Sequence, residues 1–229
     1  YATVNIGYMA ELTNETSEKL LEELKGIVFY NPMTGGYDIK DKFISGNVIS
    51  KAEEVERFLE NHPDLEEAKE SLAALRQAIP KPIPFEDLDF NFGERWIPTS
   101  IYSKYASFLF ETDVSVHYAQ SRDEYTLNVT NKNVKIWDQY AVKTQSRTFD
   151  GIALMKHALH NTSPDITKKV NKYIDGELRE VKVRDSESIQ LANSKIDEIR
   201  NGFTDWLNEQ SEEFKERLAD KYNRTFNCF

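Results

Sequence analysis

Few groups in this 229-residue chain have the chemistry for catalysis, metal binding or phosphate contact: four histidines, one cysteine and clustered lysines and arginines. His157 and His160 stand three apart in "GIALMKHALH", a spacing that brings two imidazoles to one helix face and within reach of a metal ion. No carboxylate lies at ligand spacing beside them, so a solvated pair at a helix end is the plainer reading and no metal site is expected. His117 falls inside an alternating strand-like segment and His62 precedes a proline. Cys228 is alone, which excludes an internal disulfide and a cysteine-built metal centre. Gly-x-Ser-x-Gly and His-Glu-x-x-His are absent, and so are the phosphate loops Gly-x-x-x-x-Gly-Lys-Ser/Thr and Gly-x-Gly-x-x-Gly. The Asn/Asp-Pro-Pro-Tyr/Phe signature of amino-methyltransferases is missing too. No catalytic residue and no cofactor are expected in this segment.

The remaining candidate is basic. Lys168, Lys169, Lys172, Arg179, Lys182 and Arg184 surround Asp175-Gly176, a dipeptide that favours the two-residue type I′ hairpin turn. In a twisted ribbon several of these cations can share one face and touch a nucleic-acid backbone. The competing reading is a solvated edge, since lysines on edge strands also block aggregation.

The whole chain carries a formal charge of −10, which argues against a protein that coats nucleic acid over its entire surface. The charge is uneven. Residues 51–94 hold five Lys/Arg against twelve Asp/Glu, whereas residues 130–185 hold eleven against seven. Any phosphate contact is therefore expected from the second stretch. No run of about 18 apolar residues occurs, so no membrane contact is expected, and the lone cysteine fits a reducing cytoplasm. Four Asn-x-Ser/Thr sequons, at Asn14, Asn128, Asn161 and Asn223, are attributed to chance in an Asn- and Thr-rich chain.

The elements that must position these groups read as α+β. Asn5 and Thr16 are helix caps, the first helix placing Ile6, Met9 and Ala10 on one face and the second Leu20, Leu21 and Leu24, with Gly26 as its stop. "IVFY", the turn "NPMTGG" and "YDI" form a hairpin, so residues 1–49 outline a winged-helix-like module. Its recognition-position helix carries Glu18, Glu22 and Glu23 against Lys19 and Lys25, a face that phosphates would repel. An acidic helical pair follows over 50–79, with Ser50/Glu53 and Asp64/Glu67 as capping boxes and Leu65, Ala68, Leu72, Leu75 and Ile79 as its seam. Pro80–Pro84 is a Pro-rich linker.

Residues 85–229 are expected to be one α+β domain, a small antiparallel sheet packed with two C-terminal helices. Thr99 caps a helix burying Ile101, Tyr102, Tyr105, Phe108 and Leu109. "VSVHYA", "EYTLNV" and "VKIWDQYAV" supply strands around the turn "QSRD". Ile189, Ala192, Ile196, Ile199, Phe203 and Trp206 mark a strong helix, and Ser211 caps the last one, which turns Phe214, Leu218 and Tyr222 inward.

Several stretches taken in order carry a family likeness: the winged-helix-like opening followed by "SGNV", then Arg95-Trp96-Ile97-Pro98, then "NSKIDEIRNGFTDWL", then "LADKYNRTFN". Together they resemble the region upstream of the helicase core in large SNF2-like helicase / N6-adenine DNA methylase polypeptides of phages and conjugative elements, some of them tied to antirestriction. In that family a Tyr-Asn-x-x-Phe-Asn segment leads into the ATP-binding motifs, and Tyr222, Asn223, Phe226 and Asn227 match it. The "YAVKTQSRTFDGIALMKHAL" stretch only approximates the family's central Trp/Tyr-Gly-Thr segment. The resemblance implies a non-catalytic accessory region that positions DNA or braces a motor, with DNA and the helicase and methylase domains of the parent polypeptide as partners. It also implies that the chain continues beyond Phe229. The alternative is a structural or protein-interaction module that uses the acidic helical pair and makes no DNA contact.

Overall fold

In the computed structural model, which describes residues 3–229, local caps start the first elements where the sequence places them. Strand β1 (Thr3–Val4) leads into α1 (Ile6–Thr13), whose first turn donates the Tyr8 N–H to Asn5 Oδ1 at 3.0 Å. Helix α2 (Ser17–Glu23) is capped by Thr16, and β2 (Val28–Asn31) and β3 (Gly36–Ile39) form the hairpin. The sheet order is β1-β3-β2, all antiparallel. The third strand is two residues long, too short to show as periodicity. It completes a winged-helix module. Short α3 (Lys40–Phe43) then gives way to the pair α4 (Val48–Asn61) and α5 (Glu66–Ala78).

Neither expected capping box forms. Helix α4 is capped three residues earlier, where Asn47 Oδ1 accepts the Ser50 N–H at 2.9 Å. At α5 the cap position is Leu65 without a side-chain bond, and Glu67 instead accepts the Tyr37 hydroxyl at 2.8 Å. Burial, and then this carboxylate, push the Tyr37 hydroxyl pKa upward. Fully buried Ser71 donates to the Tyr30 carbonyl at 2.7 Å, so wing and helical pair are stitched by polar bonds above a shared apolar core of Phe43, Val48, Ala52, Val55, Leu72 and Leu75.

The chain divides into two compact units, one ending at Asp87 and completed by Ala219–Phe229, the other spanning Leu88–Leu218. In the first, the Pro-rich segment is extended and held from the far end of the chain. Asn223 is buried, and its amide uses every bonding site. Oδ1 accepts Ile83 N–H at 2.8 Å and Asn227 Nδ2 at 2.9 Å, while Nδ2 donates to the Ile83 and Ala219 carbonyls at 2.9 Å each. Asn227 Nδ2 also donates to Lys81 O at 2.8 Å, and Val48 N–H donates to Cys228 O at 2.9 Å. A side chain that both donates to and accepts from one residue's backbone acts as a strand partner for a proline-flanked segment that cannot pair with itself.

The second unit begins with α6 (Thr99–Phe110), β4 (Val114–Ala119) and β5 (Glu124–Val129). Next come β6 (Val142–Lys143), β7 (Thr148–Phe149) and α7 (Gly151–His160). The ribbon β8 (Thr167–Ile174) and β9 (Glu177–Arg184) and helix α8 (Ser186–Asn208) follow, and α9 (Glu212–Phe226) starts in this unit and ends in the first. The strands make three separate two-stranded ladders. Helix α6 begins at Thr99 itself, with Pro98 in the cap position and no side-chain cap bond, and Phe110 rather than Phe108 is buried, Phe108 being 60% exposed. "VKIWDQYAV" is mostly not a strand. Asn133 Oδ1 accepts Ile136 N–H at 3.2 Å while its amide holds Phe110 O at 2.6 Å, and this winds residues 135–139 into a π-helical turn that buries Ile136. All six apolar positions foreseen on α8 are buried, and Phe203 packs on Phe92 and Tyr105 at ring separations of 5.0 and 5.3 Å.

Arg95 fastens the loop before α6. Its guanidinium lies over the Tyr125 ring at 4.8 Å, bonds Asp123 Oδ1 at 2.6 Å and donates to Gly93 O. Gly93 has φ +97°, and a Cβ there would stand 2.0 Å from Leu159 O, so only glycine permits this approach. The first cause of the low Asp123 pKa is the Arg95 bond and the second the Tyr118 hydroxyl, which together bring it from 3.8 to about 2.

Two outcomes test these contacts. Asn223→Asp sets a carboxylate against two carbonyl oxygens and should cost about 2–4 kcal/mol at pH 7 in denaturant unfolding. Because the introduced carboxyl is favoured neutral in the fold, its deficit against wild type should shrink as pH falls from 7 toward 5; a deficit independent of pH refutes the assignment. A folded-state pKa below the unfolded one means that the Arg95–Asp123 pair stabilises above the carboxylate's unfolded pKa and is lost as pH falls through about 2. An NMR titration should find the Asp123 midpoint near 2 in wild type and back toward 3.8 in Arg95→Met.

Candidate nucleic-acid interface

The Asp175-Gly176 turn is present as expected. Both residues have positive φ, 53° and 81°, and the flanking strands pair in unbroken register from Thr167↔Arg184 to Ile174↔Glu177. Residues directly opposite in an antiparallel pair share a face, and the faces alternate along each strand. The six basic residues therefore divide evenly. Lys168, Lys172 and Arg179 share one face with Val170, Val181 and Val183, whereas Lys169, Lys182 and Arg184 share the other with Tyr173 and Leu178.

The two faces differ in surroundings. On the first, Lys168 and the three valines are half-buried, Lys168 lies 3.6 Å from Asp185, and Arg179 pairs with Glu177 at 3.0 Å. On the second, Lys169, Lys182 and Arg184 are all exposed. Lys169 opposes Lys182 directly, a like-charge pair relieved by Glu180, which lies 2.6 Å from Lys169. Lys182 and Arg184 have no carboxylate within ion-pair distance among the described residues. That second face is the more available one for phosphate.

Every residue from Asn171 to Glu180 is exposed, so the distal half of the ribbon is an arm. Its root is tied down. Asp185 N–H donates to Ile166 O at 2.9 Å, and Gln145 Oε1 accepts Lys169 N–H at 2.6 Å along the outer edge of β8. Asp185 also caps α8 through the Ser188 N–H and hydroxyl. The sequence reading missed Tyr173 and Leu178, which oppose each other at the tip and are 77% and 57% exposed. Counting back from Asp175-Gly176 in steps of two would have set them on the lysine face.

The winged-helix module offers less to phosphate through α2. Lys19 on α2 lies 2.5 Å from Glu15, and Lys25, just past the helix end, lies 2.6 Å from Glu70, so both lysines are engaged by carboxylates. In the helical pair, Glu53 is bound by Arg224 and Glu56 by Arg76.

The histidines are accounted for by structure. His160 Nδ1 faces Lys156 O at 2.8 Å and Nε2 faces the Tyr125 N–H at 3.1 Å. Both ring nitrogens are therefore engaged within the fold. His157 bonds Thr162 Oγ1 at 2.8 Å and lines a cleft of about 440 Å³ with Glu124, Arg147, Phe149 and Lys156. Burial, then His160, Arg147 and Lys156, hold its pKa below the usual histidine value. Among the described residues no three His, Cys, Asp or Glu side chains converge as metal ligands. His117 is exposed, and His62 stacks on Phe58 at 4.2 Å.

The motif residues serve the fold. Arg95 clamps the loop described above, Trp96 Nε1 donates to Glu94 at 2.6 Å, Ile97 is buried, and Pro98 O accepts Ile101 N–H at 2.9 Å. Tyr222 and Phe226 pack ring to ring at 5.1 Å, and Asn223 and Asn227 hold the Pro-rich segment.

Comparison with known families gives two matches. Residues 1–38 are similar to the family described as "Probable helicase, winged helix domain", which supports a helicase-associated region and a DNA context. No curated protein and no solved structure matches the chain. No helix among the described residues is long and apolar enough to cross a membrane. The second match covers residues 91–228, more than half of the sequence and the whole of the ribbon, and by it the chain belongs to the family described as "Domain of unknown function (DUF8437)".

Proposed function

We propose that this chain is a non-catalytic, DNA-positioning region of a helicase-containing polypeptide, and that it reaches DNA with the Lys169–Lys182–Arg184 face of the β8–β9 ribbon. The observation that carries this reading is a projecting two-stranded arm whose exposed face gathers three cations on a chain of net charge −10. Association with a helicase is supported by the winged-helix match, and winged-helix modules commonly accompany DNA-working machinery. The more specific assignment, to SNF2-like helicase / N6-adenine methylase polypeptides of phages and conjugative elements, is proposed from Arg95–Pro98 and the Tyr222–Asn227 segment. The rest of that polypeptide is the proposed second partner. Both motifs being built into the fold fits a bracing role, since they stiffen the segments that would carry load. The cytoplasm is the proposed compartment. The acidic helical pair is less favoured as the functional surface, because Glu53 and Glu56 are already paired within the chain.

The test compares two triple variants, one per face of the ribbon, by fluorescence anisotropy with labelled duplex and forked DNA. Lys169→Glu/Lys182→Glu/Arg184→Glu should weaken binding at least tenfold and flatten the salt dependence by about one unit of slope per lost phosphate contact. Lys168→Glu/Lys172→Glu/Arg179→Glu should do less. A wild-type chain that binds neither DNA at low salt sinks the reading.

A further inference from the structure

We propose that the tip of the ribbon is a base-stacking wedge, in which Tyr173 backed by Leu178 packs against an unpaired nucleobase where duplex meets single strand. The proposal rests on the DNA-contact reading above and narrows it to a junction.

Tyr173 is 77% exposed, Leu178 directly across from it is 57% exposed, and Ile174 on the opposite face is 37% exposed. These are the last apolar positions before the turn, and no packing within the described chain accounts for them. What marks this site is that an aromatic ring and an aliphatic side chain stand directly opposite each other at the end of a ribbon, forming one small apolar platform. The occupant is indicated by what shares its face. Tyr173, Leu178, Lys169, Lys182 and Arg184 all point the same way by register. Lys169 lies four residues from Tyr173 along β8, about 13 Å in an extended strand, which is the rise of about four stacked nucleotides. Cations that track a backbone toward an aromatic platform are the arrangement that holds single-stranded nucleic acid without reading its sequence. The opposed pair Lys169 and Lys182, set back along the same face, favours an anionic strand as the occupant over an apolar protein surface.

The shape selects a junction over plain duplex. Asp175 and Gly176 both have positive φ, so the tip is as narrow as a two-residue turn allows. A ribbon of this width can enter a groove, but within intact duplex every base face is already stacked. At a fork the terminal base exposes one face, and Tyr173 can cover it without the unstacking cost of a few kcal/mol that an inserted wedge must otherwise meet.

The experiment uses the 229-residue chain with labelled duplex and a fork of the same duplex length, at one low salt concentration. Wild type should bind the fork more tightly than the duplex. Tyr173→Ala should lose about tenfold on the fork and less than twofold on the duplex, whereas Tyr173→Phe and Tyr173→Trp should keep fork binding. A 2-aminopurine placed at the fork should be quenched by wild type and not by Tyr173→Ala. Because the side chain is exposed, unchanged circular dichroism and thermal midpoint are expected of each variant. If Tyr173→Ala binds the fork within twofold of wild type, or loses as much on duplex as on fork, the wedge is refuted while the cationic face stands. If wild type binds neither DNA, both readings fall together.

Discussion

The β8–β9 ribbon can work as an arm only because its root is fixed, and the root is fixed at Asp185. That one residue closes the ladder through its backbone N–H to Ile166 O, sets Lys168 at 3.6 Å and starts α8 by accepting from Ser188. A two-stranded hairpin by itself is marginal in water. Here its first residues are tied to the N-terminus of the longest helix, whose Ile189, Ala192, Ile196, Ile199 and Phe203 are buried in the second unit. The distal residues need only the ladder and the type I′ turn, which leaves their side chains available for a ligand.

Charge in this molecule is largely internal. Many lysines and arginines sit against carboxylates or backbone carbonyls, as with Lys25 and Glu70, Lys51 and the carbonyls around Phe43, and Arg95 and Asp123. Exposed pairs of this kind contribute little stability each, but they cancel local field. The consequence for an anionic ligand is selective: most of the surface presents compensated or negative charge. On the arm, Lys172, Lys182 and Arg184 are exposed and have no carboxylate within ion-pair distance among the described residues, and Lys182 and Arg184 share one face with Lys169.

The sequence was most legible where one residue decides one local geometry. Asn5, Thr16 and Asp175-Gly176 each act within three or four residues, and each element they imply is present. The α8 seam was legible because strict three-four spacing from Ile189 to Trp206 leaves no rival period. Legibility failed where a distant partner competes for a side chain. Glu67 is drawn from its capping role by Tyr37, thirty positions away, and Asn133 converts a strand-like run into a π turn because its amide finds Phe110 O. The grip of Asn223 on Ile83 spans 140 positions, and no window of sequence contains both. At the candidate interface the cations were visible, and their division between faces was within reach of the sequence too, since the Asp175-Gly176 turn sets the register and counting in steps of two from it assigns each side chain.

The perturbed titratable groups also bear on what the described residues do. Tyr102 and Tyr105 have pKa values raised first by burial inside the aromatic core, and each hydroxyl is bonded to backbone, to Glu94 O and Ile199 O. Asp123 is lowered by a guanidinium whose other bonds hold a loop, and His157 is lowered by burial beside three other basic side chains. In each case the perturbation has a structural cause: a buried aromatic core, a guanidinium that clamps a loop, or burial beside other basic groups. What the fold invests in instead is position: a clamped loop at Arg95, a held segment at Ile83, an anchored root at Asp185. Rigid mounting of an exposed cationic ribbon is what the proposed DNA-positioning role requires.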